Sequence, residues 1–182
     1  MFKTSLIWDK IEADKSLYSL ILGKERPTTR EGHVIVYLND QNKYLMFGGI
    51  SNVRYSDVFT LSLSENKWEY HRPKGKNNNS ENPKELSYCI GWYDAPNFFI
   101  HGGRNKETAL PDIYFLNTIT WIWKKISQID QPAPRYHHSA AKTNNREVYM
   151  FGGHNDKTNS NFGELLLFDY SKMYYEISGD KF

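Results

Sequence analysis

Val-Tyr-Met-Phe-Gly-Gly at residues 148–153 organises this chain, because close copies of it occur twice earlier in the sequence. Residues 44–49 read Tyr-Leu-Met-Phe-Gly-Gly, and residues 98–103 read Phe-Phe-Ile-His-Gly-Gly. The first glycines of the three pairs are separated by 54 and then 50 residues. An apolar run that ends in two glycines at such a period indicates a repeat protein. We expect the glycines to adopt positive φ or to let backbone pass close to a neighbouring strand.

Further residues fall into register when the glycine pairs are aligned. An arginine lies 17 or 18 residues before the first glycine in two copies, as Arg30 and Arg135, and a histidine follows it three residues later. In the second copy Glu85 stands at the arginine position. We expect Arg30 and Arg135 to donate hydrogen bonds to carbonyl or carboxylate oxygens where repeats meet.

An acidic residue and then an apolar run follow each glycine pair, and an aromatic residue comes 19 to 22 residues after the second glycine. The acid is expected to accept hydrogen bonds from backbone N–H groups at the start of a strand. The tryptophan is expected to pack between neighbouring repeats. In chain order these landmarks are Asp57 with Trp68, Asp112 with Trp123, and Glu164 with Tyr175.

Each unit contains four short apolar runs joined by polar turns, which predicts four β-strands, A to D. Turn-forming residues separate A from B, as in Asn-Asp-Gln-Asn at residues 39–42. Four antiparallel strands in a repeat that needs a neighbour to cover its faces describe a β-propeller blade. In the first unit the predicted strands cover residues 33–38, 44–47, 58–63 and 67–71.

The order of these landmarks resembles the kelch repeat: arginine and histidine, an apolar strand ending in Gly-Gly, an acid with an aromatic strand, then tryptophan. The resemblance covers about residues 30–182, and the first and third copies match best. It implies propeller blades. It also implies the roles known for kelch proteins, which act as substrate adaptors, as cytoskeletal or ciliary scaffolds, or as targeting halves of larger enzymes.

The sequence therefore predicts an all-β chain of about three four-stranded antiparallel kelch-type blades plus an N-terminal orphan outer strand. That strand is Trp-Asp-Lys-Ile at residues 8–11, which resembles the D strand of the second unit. Because propellers typically close with about 4–8 blades, we expect an incomplete propeller. The missing blades would come from a continuation of the chain, another copy or a partner. The predicted segments are 1–29 for the outer strand and linker, 30–84 for blade 1, 85–134 for blade 2 and 135–182 for blade 3.

The amino-acid composition limits the classes of partner and the location that we expect for this chain. Aromatic residues make up 15% of the 182 residues, which favours strands. The net charge is only +2 and no dense basic run occurs, so we expect no nucleic-acid partner. The single cysteine, Cys89, fits a reducing compartment. With no signal peptide and no run of about 20 apolar residues, we expect no membrane span and a cytoplasmic or cytoskeletal location.

Catalytic motifs are not evident. His33 and His138 follow the repeat arginines, and His101 replaces the phenylalanine of Phe-Gly-Gly. A metal site needs three or four converging ligands, and His101 and His154 would meet only if two blades bring their strand ends together. We therefore expect no enzyme activity, no cofactor and no metal. The alternative left open is a fragment of a propeller enzyme, or of a carbohydrate-binding domain, whose catalytic residues lie outside this chain.

The loops between strands B and C are the longest and most varied, and they leave the same side of the blades as the D–A linkers. Binding residues concentrate on such loops when a rigid scaffold carries them, and kelch domains that recruit proteins imply the same side. The sequence predicts a non-catalytic protein-interaction scaffold with an acidic protein partner. Arg72 in the first linker adds positive charge. The predicted contact residues are Arg54, Tyr55, Arg104, Asn105, Lys106, His154, Asn155 and Lys157.

Overall fold

The computed structural model describes residues 26–73, 82–127 and 131–171. These ranges contain thirteen β-strands, most of which are built on short apolar runs. The strands are β1 Val34–Leu38, β2 Lys43–Phe47, β3 Val58–Ser62, β4 Lys67–His71, β5 Ile90–Asp94, β6 Asn97–His101, β7 Ile113–Asn117, β8 Ile122–Ile126, β9 Ser139–Lys142, β10 Glu147–Phe151, β11 His154–Asn155, β12 Ser160–Asn161 and β13 Leu165–Asp169.

The strands form successive antiparallel sheets, one for each glycine pair. Blade 1 has the order β1-β2-β3-β4, blade 2 has the order β5-β6-β7-β8, and blade 3 has the order β9-β10-β13 in the described residues. The first strands of the blades lie side by side, with β5 between β1 and β9. The predicted all-β architecture of antiparallel blades is confirmed.

Two predicted strands cannot be compared with the structure. The orphan outer strand at residues 8–11 and the last strand of the third unit, around Tyr175, lie outside the described residues. One feature was not predicted: β11 and β12 pair as a small hairpin within the third B–C loop.

Side chains from facing sheets fill the space between blades 1 and 2. Trp123 is 2% exposed, and its ring centroid lies 5.3 Å from that of Phe47 and 6.0 Å from that of Phe98. The predicted tryptophan between blades is thus confirmed for Trp123, and burying such a side chain contributes about 1.5–3 kcal/mol. The core here comprises Val34, Leu38, Leu45, Phe47 and Val58 of blade 1 with Leu86, Cys89, Phe98, Ile100, Tyr114, Leu116 and Trp123.

A second core joins blade 2 to blade 3. Trp92 stacks on Phe99 with centroids 5.2 Å apart, and Tyr170 packs 5.3 Å from Phe99. Val148 and Met150 of β10 complete this core from the blade 3 side. Blade 2 is therefore covered on both faces, and all five residues of β6 are buried.

The glycine pair joins one blade to the next through its backbone. Gly48 donates its N–H to the backbone carbonyl of Asp57 (3.2 Å), and Gly49 donates to the carbonyl of Leu86 in the next repeat (2.8 Å). The φ angles of these glycines are +67° and +95°. Both expectations for the pair, positive φ and close backbone approach, are confirmed. A Cβ on Gly48 would lie 2.6 Å from the Leu86 oxygen.

The same hydrogen bonds correct the alignment of the second repeat. Gly103 donates its N–H to the carbonyl of Arg135 as Gly49 donates to that of Leu86. Leu86, and not Glu85, therefore occupies the arginine position of blade 2. Leu86 is 1% exposed and belongs to the first core, so an apolar side chain replaces the guanidinium there.

Replacing Gly48 by Ala tests this junction. Positive φ strains a Cβ, and the neighbouring carbonyl would have to move. We expect a loss of about 3 kcal/mol in the free energy of unfolding, measured by urea denaturation. Gly163→Ala is the control, since a Cβ there meets nothing within 4 Å. A change within about 1 kcal/mol is expected for it. Equal losses in the two variants would contradict the backbone-approach explanation.

Candidate functional site

One side of the blades carries the B–C loops and the D–A linkers, because the strands alternate in direction. We call it the loop face: residues 50–56, 104–111 and 154–163, with linker residues 72, 73 and 82–87. Ion pairs lie beneath its loops. Arg30 donates to the carbonyl of Gly48 (3.0 Å) and to both carboxylate oxygens of Asp57. The guanidinium also lies 3.8 Å from the centre of the Tyr55 ring.

Blade 3 repeats this arrangement. Arg135 donates to the carbonyl of Gly152 (3.1 Å) and to the Glu164 carboxylate, and its guanidinium lies 4.1 Å from the Phe162 ring centre. Each arginine therefore fastens the start of a B–C loop to its end. The expectation that these arginines bind carbonyl and carboxylate oxygens is confirmed.

Blade 2 lacks the arginine and uses a lysine from its own last strand. Lys125 Nζ lies 2.7 Å from the Asp112 carboxylate. The expected role of the acids was wrong, because the carboxylates of Asp57 and Asp112 bind cations. It is their backbone carbonyls that accept N–H groups, from Gly48 and Gly102.

Side-chain contacts join the B–C loops of neighbouring blades. Arg104 Nε lies 2.6 Å from Asp156 Oδ2, and the other carboxylate oxygen of Asp156 accepts the N–H of Ala109 (3.2 Å). Arg54 Nε donates to the Ser87 hydroxyl at the start of blade 2 (3.1 Å). The three loops therefore form one connected surface.

Several of the predicted contact residues shape their own loops. The Tyr55 hydroxyl is bonded to those of Ser51 (2.7 Å) and Thr28 (3.1 Å). Asn105 accepts backbone N–H groups from Glu107 and Thr108 through its side-chain oxygen. Asn155 is only 5% exposed and accepts the N–H of Lys157 in the same way.

The remaining predicted residues lie at the surface of the loop face. Lys106 and Lys157 are exposed, while Arg54, Arg104 and His154 are half-buried. His154 Nδ1 lies 2.8 Å from Asn161 Oδ1 across the β11–β12 hairpin. Arg72 in the first linker is exposed, on the same side as Arg54.

A cavity of about 380 Å³ opens on the loop face where the first B–C loop meets the first linker. Arg54 and Arg72 bring positive charge to its wall. Glu85 and Asp57 bring carboxylates, and that of Asp57 is paired with Arg30. The buried side-chain oxygen of Asn82 also faces this region and has no hydrogen-bond partner among the described residues. Sequence reasoning had named Arg54 and Arg72 but not Asn82, which follows a polar run without distinctive pattern.

A row of aromatic rings crosses the inner end of the loop face, and sequence reasoning missed it. Tyr88 lies 4.0 Å from His137, His137 lies 4.9 Å from Tyr136, and Tyr136 lies 5.6 Å from His154, measured between ring centroids. Tyr88 and His137 both adopt φ +59°, the left-handed conformation that Gly32 has in blade 1. Side chains here sit on strained backbone. The sequence could have revealed this row, because Tyr88 and His137 occupy the position at which the first repeat has Gly32.

Two histidines form a buried contact between blades 2 and 3. His101 Nδ1 lies 2.9 Å from His138 Nε2, and both side chains are nearly inaccessible to solvent. Burial, together with the nearby Arg135 guanidinium, lowers the pKa of His101 to about 4. Burial, together with His101 and Arg135, lowers the pKa of His138 to about 3. The two rings are neutral at pH 7, and His101 contacts His138 where sequence reasoning had considered His154.

The described ranges contain no group of three or more His, Cys, Asp or Glu side chains placed to hold a metal ion. Burial raises the pKa of the Cys89 thiol to about 12, so this cysteine is protonated at neutral pH. In the same ranges no helix has the length and apolar character needed to cross a membrane.

Comparison with known proteins finds a family model and several proteins that are similar to this chain. A family model described as "KLHDC2/KLHL20/DRC7 Kelch-repeats domain" matches residues 5–179. The human Rab9 effector protein with kelch motifs is 26% identical over 144 residues, covering 75% of this chain and 37% of the relative. The Drosophila melanogaster Kelch domain-containing protein 10 homolog is 28% identical over 146 residues, covering 71% of this chain and 24% of the relative.

One similar protein has the name of an enzyme. The Thlaspi arvense N-(sulfonatooxy)prop-2-enimidothioate sulfolyase is 26% identical over 137 residues, covering 72% of this chain and 37% of the relative. The chain thus spans roughly a quarter to two fifths of the length of these three relatives.

The buried histidines predict acid sensitivity. In the folded chain they stay neutral down to about pH 4, whereas in the unfolded chain they bind protons near pH 6.5. Stability is therefore fully present above pH 6.5 and is lost as the pH falls from there towards 4. The slope is up to about 1.4 kcal/mol per pH unit for each histidine. His101→Phe, which restores the residue of the other two repeats, is expected to make this loss shallower in urea titrations.

His137→Asn is the control for this pH series. His137 is exposed, and asparagine tolerates its φ of +59°. Its pH profile is expected to follow that of the parent chain. If His101→Phe loses stability with falling pH as steeply as the parent, the histidine pair is not the cause.

Proposed function

Because the chain belongs to the kelch-repeat family, we propose that it is a non-catalytic protein-interaction module that binds a protein partner on its loop face. The observation that carries the proposal is the connected surface made by three B–C loops from three blades. Arg104 with Asp156, and Arg54 with Ser87, hold neighbouring loops together. A surface fixed in this way loses little conformational entropy when a partner binds.

The charged groups on this face favour an acidic segment in the partner. Arg54 and Arg72 flank the cavity of about 380 Å³, and Lys106 and Lys157 extend from the neighbouring loops. Among the described residues neither Arg54 nor Arg72 forms an ion pair with a carboxylate. Complementary charge of this kind speeds association and selects partners.

The row of aromatic rings supplies a second kind of contact. Tyr88, Tyr136 and His154 are half-buried, and His137 is exposed. Tyrosine and arginine dominate the binding energy of many protein interfaces because they offer large rigid surfaces with polar ends. The proposed contact surface therefore combines these rings with the basic groups. Asn105 and Asn155 shape the loops that carry it.

The names of relatives agree with a protein partner. One relative is described as an effector of Rab9, and others are named only for their kelch domains. We place the module in the cytoplasm, supported by a single buried cysteine that has no second thiol for an intramolecular disulfide. Further blades, from a continuation of the chain, another copy or a partner, are proposed to complete the propeller.

A second candidate function is that of one part of a propeller enzyme. The sulfolyase among the relatives favours it. The two proposals differ in the ligand, since an enzyme fragment would bind a small molecule and an interaction module binds a peptide segment.

Selection of a displayed random-peptide library on the purified chain tests the interaction proposal. We expect enrichment of acidic peptides, with affinity that falls as salt rises. Arg54→Ala and Arg72→Ala are each expected to weaken the best selected peptide about 10-fold, which corresponds to about 1.4 kcal/mol. Fluorescence anisotropy measures the dissociation constants.

Lys67→Ala provides the matched control for these variants. Lys67 is also exposed, but it begins β4 and so lies at the C–D turn, on the side opposite the loop face. The affinity of the Lys67→Ala variant for the selected peptide is expected to equal that of the parent chain. Selected peptides without an acidic bias, or arginine variants that bind like Lys67→Ala, would refute this placement of the site.

A further inference from the structure

Equivalent positions on the three blades differ sharply in exposure. Leu45 and Phe47 of β2, like Phe99 and His101 of β6, are 0% exposed because the next blade covers them. The equivalent residues of β10 are exposed, at 37% for Tyr149 and 55% for Phe151. In β13, Leu165 and Leu167 are 65% and 54% exposed, whereas their equivalents Val58, Thr60, Ile113 and Phe115 are buried.

These four side chains form one apolar surface on blade 3. Phe151 lies opposite Leu165 and Tyr149 lies opposite Leu167 in the antiparallel register. Val148 and Met150, which alternate with them, belong to the core shared with blade 2. The surface of Tyr149, Phe151, Leu165 and Leu167, which we call the forward face, is therefore directed away from blade 2.

The two junctions in the chain share three backbone hydrogen bonds. At the first, Gly49 N–H bonds the Leu86 carbonyl, Leu86 N–H bonds the Tyr55 carbonyl, and Tyr88 N–H bonds the Gly32 carbonyl. At the second junction the donor and acceptor pairs are Gly103 with Arg135, Arg135 with Leu110, and His137 with Tyr88.

Blade 3 presents the same groups for a third junction. By equivalence they are the N–H of Gly153 and the carbonyls of Phe162 and His137. None of the three has a backbone partner among the described residues. A Cβ on Gly152 would meet only the Phe162 oxygen, at 3.8 Å, whereas a Cβ on Gly48 would lie 2.6 Å from the Leu86 oxygen of the next repeat.

Blade 1 carries the complementary half of such a junction. Ile35, Tyr37 and Tyr44 are 52%, 44% and 36% exposed. We call these three residues the backward face, because the equivalent residues of blade 2 face blade 1. They are the exposed part of that side of the sheet, on which Met46, Phe59 and Leu61 are buried. By the same equivalence, the N–H and carbonyl of Arg30 and the N–H of Gly32 are the groups this side offers. They too have no backbone partner in residues 26–73, 82–127 and 131–171.

We propose that two copies of the chain join head to tail, with the forward face of each on the backward face of the other. Gly153 N–H then bonds the Arg30 carbonyl, Arg30 N–H bonds the Phe162 carbonyl, and Gly32 N–H bonds the His137 carbonyl. One donor and two acceptors on blade 3 meet two donors and one acceptor on blade 1. The apolar side chains meet at the centre, and Glu147 and Asp169, on the same side of the blade 3 sheet, lie at the end away from the loop face.

A second copy is the occupant that these groups fit, because each chain carries both halves of the junction. Two such contacts close a ring of six blades, within the range of about 4–8 for propellers. A head-to-tail contact that closes gives a finite assembly. This pairing uses one backbone carbonyl of the loop face, that of Phe162, and none of its charged side chains, so it stands apart from the proposed partner binding.

The pairing is tested by measuring the mass of the 182-residue chain by light scattering as it elutes from a size-exclusion column. The expected mass is twice the 21.4 kDa of one chain. Phe151→Glu and Leu167→Glu are each expected to halve it, and Ile119→Glu is expected to leave it unchanged. Ile119 is 72% exposed but lies in the C–D turn of blade 2. A parent chain that is a monomer at micromolar concentration, or that grows beyond two copies, overturns the proposal.

Mixing two variants distinguishes head-to-tail pairing from a symmetric dimer in which the same face of both copies meets. Phe151→Glu removes the forward face, and Tyr44→Glu removes the backward face. Each alone is expected to be a monomer. Their mixture retains one intact junction and is expected to form a heterodimer, detected by native mass spectrometry. A mixture that stays monomeric overturns the head-to-tail geometry.

All the substituted side chains are exposed, so far-UV circular dichroism is expected to match that of the parent. Leu165→Glu replaces Phe151→Glu or Leu167→Glu if either fails to fold. Binding of the selected acidic peptide to Phe151→Glu is expected to persist. A failure of pairing is therefore distinguishable from a failure of loop-face binding.

Discussion

The fold depends on the hydrogen bond from the second glycine of each pair to a carbonyl of the next repeat. Gly49 reaches Leu86 in this way, and Gly103 reaches Arg135. Backbone that approaches so closely excludes a Cβ at the preceding glycine, because a Cβ there would lie 2.6 Å from the same oxygen in both junctions. The bond fixes the spacing of neighbouring sheets, and that spacing decides which side chains fill the gap. Phe47 and Trp123 contact each other there because the backbones are already joined.

A second constraint acts on the loops, and the repeats meet it in two ways. Blades 1 and 3 close each B–C loop with an arginine held over an aromatic ring, Tyr55 or Phe162. Blade 2 uses Lys125 from the outer strand, because Leu86 occupies the arginine position and contributes to the core instead. The acid after each glycine pair is common to both solutions. Loop closure therefore depends on a carboxylate at a fixed place and not on the source of the cation.

Sequence patterns predicted the features that depend on local chemistry. Strands, turns and the conformation of the glycines follow from neighbouring residues, so Val34–Leu38 or Gly48 could be assigned from the sequence. The contacts of Arg104 with Asp156 and of His101 with His138 join residues 52 and 37 positions apart. Nothing in the spacing distinguishes such pairs from other loop or strand residues. Asn155 was predicted to contact a partner because it lies in a long B–C loop, but its side chain turns inward to cap its own loop.

Junctions and loops use different chemistry, and this separates assembly from recognition. The centre of each junction consists of backbone hydrogen bonds and apolar side chains, so salt has little effect there. Ion pairs of Asp94 with Lys142 and Arg146 lie at the end of the second junction that is away from the loop face. The loop face also carries exposed charged side chains, Arg72, Lys106 and Lys157, that can change without disturbing a junction. His101 is the exception, since it places an ionisable ring where the other repeats have Phe47 and Phe151. Acid therefore acts within the chain at the junction of blades 2 and 3, where Arg135 also opposes protonation. The equivalent position of the forward face holds phenylalanine, so a junction formed there would not share that sensitivity.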